Sequence, residues 1–183
     1  MTPDRLAVVC TGASAALDLP AHLTAWRRAL PVPTTVLLTS AALTFVQPRA
    51  LRLIADEVIE PGDPGFNPVE FANRARLFVV APTTANFLVS ASLGLASTPA
   101  LTAALATPAG KVLFPHMNPT MWQAPTTQAA VRALRERDVV VVSPVPSTVL
   151  TLWSGEFSDS LAMPAPQKTA QVITAQWQTA GEA

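Results

Sequence analysis

Five short apolar runs, separated by helix-like or proline-rich sequence, set the terms on which this chain can fold. They are Leu6 to Cys10, Thr34 to Leu38, Leu77 to Val80, Lys111 to Phe114 and Val139 to Val142. None alternates apolar with polar residues, as a strand with one wet face would. Runs of this kind fit parallel strands covered on both faces. Between them the pattern predicts helices over Asp18 to Ala29, with Pro20 marking the start, over Thr83 to Ala96, and over Thr126 to Arg137 with Thr126 as N-cap. A last helix is predicted over Lys168 to Thr179, after a loop at Pro164 to Pro166. Pro61 to Pro68 and Pro144 to Pro146 also read as loops. Strands alternating with helices build βαβ units, and so an α/β fold with a parallel sheet. There is no internal repeat, and 183 residues suit one domain.

In an open α/β sheet, ligands bind outside the carboxyl ends of the strands. The residues that follow the runs are Thr11-Gly12-Ala13-Ser14, Thr39-Ser40, Ala81 to Asn86, Pro115 to Asn118, and Ser143-Pro144. Small hydroxyl and amide residues at helix N-termini suit an anionic ligand. Thr11 to Ser14 is not a Walker loop, since no Gly-Lys-Ser/Thr follows. Nor is it the dinucleotide fingerprint, since the second and third glycines are missing. A mononucleotide fits better, although any strand-to-helix connection also needs such a turn.

Lys+Arg and Asp+Glu both number 12, so no basic excess draws nucleic acid. No apolar stretch is long enough to span a bilayer, and the first residues lack the long apolar region of a signal peptide. No membrane partner and a cytoplasmic location are therefore expected. Cys10 is the sole cysteine, so no intrachain disulfide can form, and it reads as a small core residue. No metal site is expected. His22 reads as helix surface, and Arg132 to Asp138 as a solvated helix face. With 50% apolar and only 13% charged residues, some surface is expected to pack against copies of the chain.

Two later segments narrow the reading. Pro82-Thr83-Thr84-Ala85-Asn86 resembles the PASANT motif of the homo-oligomeric flavin-containing cysteine decarboxylases. Pro115-His116-Met117-Asn118-Pro119-Thr120-Met121-Trp122 matches that family's PxMNxxMW motif at every fixed position. Thr11 to Ala16 resembles the family's first phosphate loop, and Leu38 to Val46 its second. The resemblance implies a three-layer, Rossmann-like parallel sheet with helices on both faces, of the flavoprotein type. It also implies FMN as cofactor, bound between subunits of a homotrimer, often within a dodecamer of four trimers.

The late part of the chain separates the branches. The coenzyme A enzymes carry a flap cysteine that protonates the enethiol, and this sequence has no cysteine after Cys10. Leu152-Trp153-Ser154-Gly155-Glu156-Phe157, with Met163-Pro164, resembles the flap of the peptidyl-cysteine decarboxylases of lantibiotic and linaridin type. A substrate flap around 145–163 is thus implied. The expected reaction is oxidative decarboxylation of a C-terminal cysteine in a precursor peptide, to an aminoenethiol and on toward aminovinyl-cysteine. On the resemblance, Asn118 binds the substrate carboxylate, Met117, Met121 and Trp122 shape the pocket, and Ser154 and Gly155 clamp the peptide. Gly12, Ser14 and Ser40 take the phosphate, while Thr84 and Asn86 contact the flavin. Met121 and Trp122 read equally well as core packing.

One departure matters. Pro68 stands where the family places an active-site histidine, and proline has no acid–base group. Solvent or a neighbouring subunit, Glu70, or His116 inside the motif could take the proton instead. The remaining alternatives are a protein that binds FMN without decarboxylating alone, and a decarboxylase resembling the coenzyme A enzymes.

Overall fold

The computed structural model describes residues 4–152 and 154–180 of the chain. Strands β1 (Arg5–Cys10), β2 (Thr34–Leu38), β3 (Glu57–Ile59), β4 (Ala75–Thr83), β5 (Gly110–Pro115) and β6 (Val140–Val141) form one six-stranded sheet in the order β3-β2-β1-β4-β5-β6. Every pairing is parallel. The strand order reverses between β1 and β4, which opens a crevice at their carboxyl ends.

Alternation along the strands feeds two core layers. Leu6, Val8 and Cys10 face one layer with Trp26, Leu51 and Ile173. That side carries helices α1 (Leu19–Ala29), α2 (Pro48–Leu51) and α8 (Pro166–Thr179). Ala7 and Val9 face the other layer with Phe71, Phe78, Leu88 and Leu134. Helices α3 (Pro68–Arg74), α4 (Ala85–Ser92), α5 (Pro99–Ala106) and α7 (Pro125–Arg135) cover that side, and the short α6 (Pro119–Gln123) leads into α7. Cys10 is buried, and loss of solvation pushes its thiol up to about 12.

Several elements differ from the sequence expectation. The stretch from Thr83 is not all helix: β4 runs through Thr83, and α4 begins at Ala85 after Thr84 caps it by accepting from Phe87 N–H at 3.2 Å. The seventh helix starts at Pro125 with Ala124 before it, so Thr126 is not its N-cap. Pro144 to Pro146 is not wholly loop. Val145–Thr151 (β7) pairs antiparallel with Glu156–Ala162 (β8), and Pro146 lies opposite Leu161. A two-stranded ribbon has outward positions that need no N–H, so it tolerates the proline. The turn carries Gly155 at φ 72°. Trp153, quoted above within the flap, lies outside the described residues.

His22 is buried, not surface. Leu19, His22, Leu23 and Trp26 share the buried face of α1, which packs on α8. His22 Nδ1 lies 2.9 Å from Thr169 Oγ1, which also accepts from Trp26 Nε1 at 2.9 Å and donates to Pro166 O at 2.9 Å. With that hydroxyl hydrogen given to Pro166, His22 must present a proton on Nδ1. Burial holds the His22 pKa below its ordinary value, against an opposing pull from Asp18. Thr169→Val should therefore strand two buried donors at once. An expected loss of about 2–4 kcal/mol would appear in urea unfolding. No helix among the described residues is long and apolar enough to cross a membrane, and no group of three or more His, Cys, Asp or Glu among them could hold a metal ion.

Candidate active site

Three loops at the crevice are pinned together by threonines. Thr11 Oγ1 donates to Pro82 O at 2.7 Å and accepts from Thr84 N–H at 3.0 Å, which joins the loop after β1 to the turn after β4. Thr39 Oγ1 donates to Cys10 O at 3.1 Å, which joins the loop after β2 to β1. Gly12 lets the first two loops meet. A Cβ there would stand 2.3 Å from Ala41 Cβ and under 3 Å from two Ala41 backbone atoms.

The loops enclose a cleft of about 560 Å³. Gly12, Ser40, Thr84 and Asn86, four of the five residues expected to bind the cofactor, line it together. Leu37, Phe66, Phe87 and Leu101 supply apolar walls. Asn86 sits in the first turn of the eight-residue α4, whose N–H groups point outward at that end. Donors at one end and apolar walls beyond suit a phosphate joined to a large flat ring, and the volume lies within the usual range for a small ligand.

Ser14 and His116 lie apart from that lining and pair with each other. Ser14 Oγ is 3.0 Å from His116 Nε2. His116 Nδ1 is buried and has no partner among the described residues. Burial lowers the His116 pKa from its ordinary value, with Asp18 acting in the opposite sense. Burial thus favours the neutral imidazole.

Asn118 is the N-cap of α6. Its Oδ1 accepts from Met121 N–H at 2.8 Å, and the residue is exposed, so its NH₂ group is left to donate outward. Met117 is buried, Met121 is exposed, and Trp122 packs against the second core layer. Ser154 and Gly155 form the exposed turn between β7 and β8. Within one chain the expected site residues therefore fall into three groups: the cleft, the Ser14–His116 pair, and the exposed Asn118, Met121 and hairpin turn.

Pro68 opens α3, with Asn67 capping it by accepting from Val69 and Glu70 N–H. Glu70 faces Arg74 at 3.7 Å and lines a separate cavity with Arg5 and Asp63. Sequence reasoning missed Glu60, the one titratable side chain among the described residues that line the cleft. Its Oε1 accepts from Arg52 Nη2 at 2.7 Å. The signal was weak, because Glu60 follows the three-residue β3, which has too little sequence to stand out as a strand.

The family model described as Flavoprotein matches residues 1–175. The chain belongs to this flavoprotein family. Mersacidin decarboxylase of Bacillus sp. is 26% identical over 141 residues, covering 75% of this chain and 73% of the relative. The chain is also 30% identical over 115 residues to the Escherichia coli coenzyme A biosynthesis bifunctional protein CoaBC, of which it spans 28%. Among solved flavoprotein structures, EpiD in complex with its substrate peptide DSYTC superposes with a TM-score of 0.84 at 20% identity, over 93% of this chain and 98% of that one. TvaF from thioviridamide biosynthesis, an FMN-dependent cysteine decarboxylase, gives 0.70 at 26% identity over 78% and 91%. The parallel Rossmann-like sheet is common to these flavoproteins.

Proposed function

We propose that this flavoprotein oxidatively decarboxylates the C-terminal cysteine of a ribosomally made precursor peptide, giving an aminoenethiol on the way to aminovinyl-cysteine. The cofactor is FMN, and the chain is an FMN-dependent cysteine decarboxylase. The observation that carries the substrate reading is Asn118. Its oxygen is held by the α6 cap, so its NH₂ group is presented as a donor, within a motif whose fixed residues are all present. A terminal carboxylate is the acceptor that suits it.

Gly12, Ser40, Thr84 and Asn86 would hold FMN, the phosphate at the donor end of the cleft and the ring against its apolar walls. Bound FMN supplies a two-electron oxidation; the chain supplies orientation and exclusion of water. Asn118 fixes the substrate carboxylate, and Met121 with the Ser154-Gly155 turn closes over the peptide. Glu60 is the acid–base group that the cleft offers to the thiol proton in place of Pro68. With no cysteine after Cys10 to protonate the enethiol, that group leaves as product. The working unit is a homo-oligomer, a trimer and then a dodecamer on the family resemblance. The separation of Asn118 from the cleft and the exposure of Leu53, Leu93 and Leu105 support that reading.

Pro68 favours one other reading, an FMN-binding subunit that does not decarboxylate alone. Mass spectrometry separates the two. A cysteine-ended peptide incubated with the protein should lose the mass of CO₂ plus two hydrogens, and a serine-ended peptide should not change. In the same assay Glu60→Gln should keep its FMN and lose most of the product. Loss of CO₂ alone would refute the oxidative step, and an unchanged cysteine peptide would favour the non-catalytic subunit.

A further inference from the structure

We propose that the cavity at the foot of α4 is a second ligand site, which takes a small carboxylate carried on a single-ring apolar body. The inference holds whatever fills the cleft.

The end of α4 leaves room for such a ligand. α4 stops at Ser92, and Gly94, at φ 70°, turns the chain out of the helix. Between α5 and α7 there remains a cavity of about 140 Å³, floored by β4 and β5. Phe78, Val80, Phe87, Leu101, Leu113 and Leu134 supply its apolar walls. An apolar protein cavity of about 150 Å³ stays dry when empty and can hold a benzene molecule. The apolar body that fits is therefore about one ring in size.

The charges on the wall have one sign. Lys111 and Arg137 line the cavity, and no Asp or Glu among the described residues does. The ion pairs among those residues use Arg5, Arg27, Arg52 and Arg74 instead. Each of the two cations is anchored by one carbonyl. Lys111 Nζ donates to Thr107 O, just past α5, at 3.1 Å, and Arg137 Nη1 donates to Ser92 O, at the end of α4, at 2.9 Å. These bonds fix the charges in place and use only one N–H of each group. Lys111 is half-buried, and loss of solvation lowers its pKa. A cation short of water gains more from an anion than an exposed one does. Arg137 and Leu95 also line the cavity yet are exposed, so they stand at its mouth. A hydrocarbon would fill the walls and leave the cations unpaired, while acetate would pair them and leave the walls empty. A ring bearing a carboxylate does both.

Phe87 and Leu101 line the cleft as well, so the variants that test the site are placed at Lys111, Arg137 and Ala91, which line only this cavity. The experiment is isothermal titration calorimetry of the protein as purified, with phenylacetate, 2-phenylethanol and acetate as probes. Phenylacetate should bind, and the other two, which lack the charge or the ring, should each bind about tenfold or more weakly. Lys111→Met keeps the length of the stem and removes the charge. It should weaken phenylacetate about tenfold or more, as expected for a lost hydrogen bond between charged groups, while Lys111→Arg keeps most of the affinity. Arg137→Gln should weaken it less, because that charge is exposed. Ala91→Leu, which fills the cavity from α4, should abolish binding and leave flavin content as in the native protein. Should Ala91→Leu not fold, the lysine variants carry the test. No binding of phenylacetate, equal binding of 2-phenylethanol, or binding untouched by Lys111→Met would overturn the inference.

Discussion

Asn118→Asp should bind FMN as the native protein does, yet turn over a cysteine-ended peptide on the order of 100-fold more slowly. The substitution isolates one role of the side chain. Aspartate is as good an N-cap as asparagine, so it still accepts from Met121 N–H and keeps α6 in place. What disappears is the NH₂ donor, and what replaces it is a negative charge facing a substrate carboxylate. Removing one partner of a charge-assisted pair costs about 2–5 kcal/mol, and 2.7 kcal/mol alone is about 100-fold in rate. The loss should fall on kcat/KM, measured by single-turnover bleaching of the flavin. Native-like turnover would remove Asn118 from carboxylate recognition. Loss of FMN together with activity would show that its role is structural.

Gly12→Ala should lose FMN and stability together. The added Cβ would meet Ala41 Cβ at 2.3 Å and the Ala41 carbonyl carbon and oxygen at 2.8 and 2.9 Å. Two of these three are backbone atoms, so no rotamer change relieves the clash. The loop after β2 must move away from the loop after β1, and Ser40 moves with it out of the cleft it shares with Gly12. Overpacking of this kind costs about 1–3 kcal/mol, and each kcal/mol lowers Tm by about 2–4 °C in a domain of this size. Adding Ala41→Gly removes the nearest atom but not the backbone contacts, so it should recover only part of the loss. Thermal melts and the flavin content of the purified protein check both statements. A Gly12→Ala variant that is yellow and fully stable would show that the two loops can separate freely.

The parts of the fold legible in the sequence were those where burial leaves a one-dimensional mark. β1 from Leu6 on and β2 from Val36 on are apolar because both their faces are covered, and β4 and β5 show the same signature in their centres. β3 escaped because it has three residues and opens on Glu57, whose carboxylate accepts from Arg5 at 3.0 Å. The β7–β8 hairpin escaped because it is mostly exposed and contains Pro146. His22 was misplaced by its polarity. The helical spacing from Leu19 to Trp26 put it on the inner face, and its partner Thr169 lies 147 residues away.

The candidate site divides along the same line. Gly12, Ser40, Thr84 and Asn86 could be gathered in advance because strand ends share one edge of the sheet and each loop is local. The Ser14–His116 contact joins residues 102 apart, and no local pattern encodes it. Glu60 was hidden behind the strand that was not read.

The most direct measurement is the visible absorption spectrum of the purified protein, recorded without oxygen before and after addition of a cysteine-ended peptide. The account predicts flavin bands that are present at the start and bleach on addition, with a serine-ended peptide leaving them intact. Flavin bands that persist with the cysteine peptide would contradict the proposed oxidation, and a colourless protein carrying no flavin would contradict the cofactor reading itself.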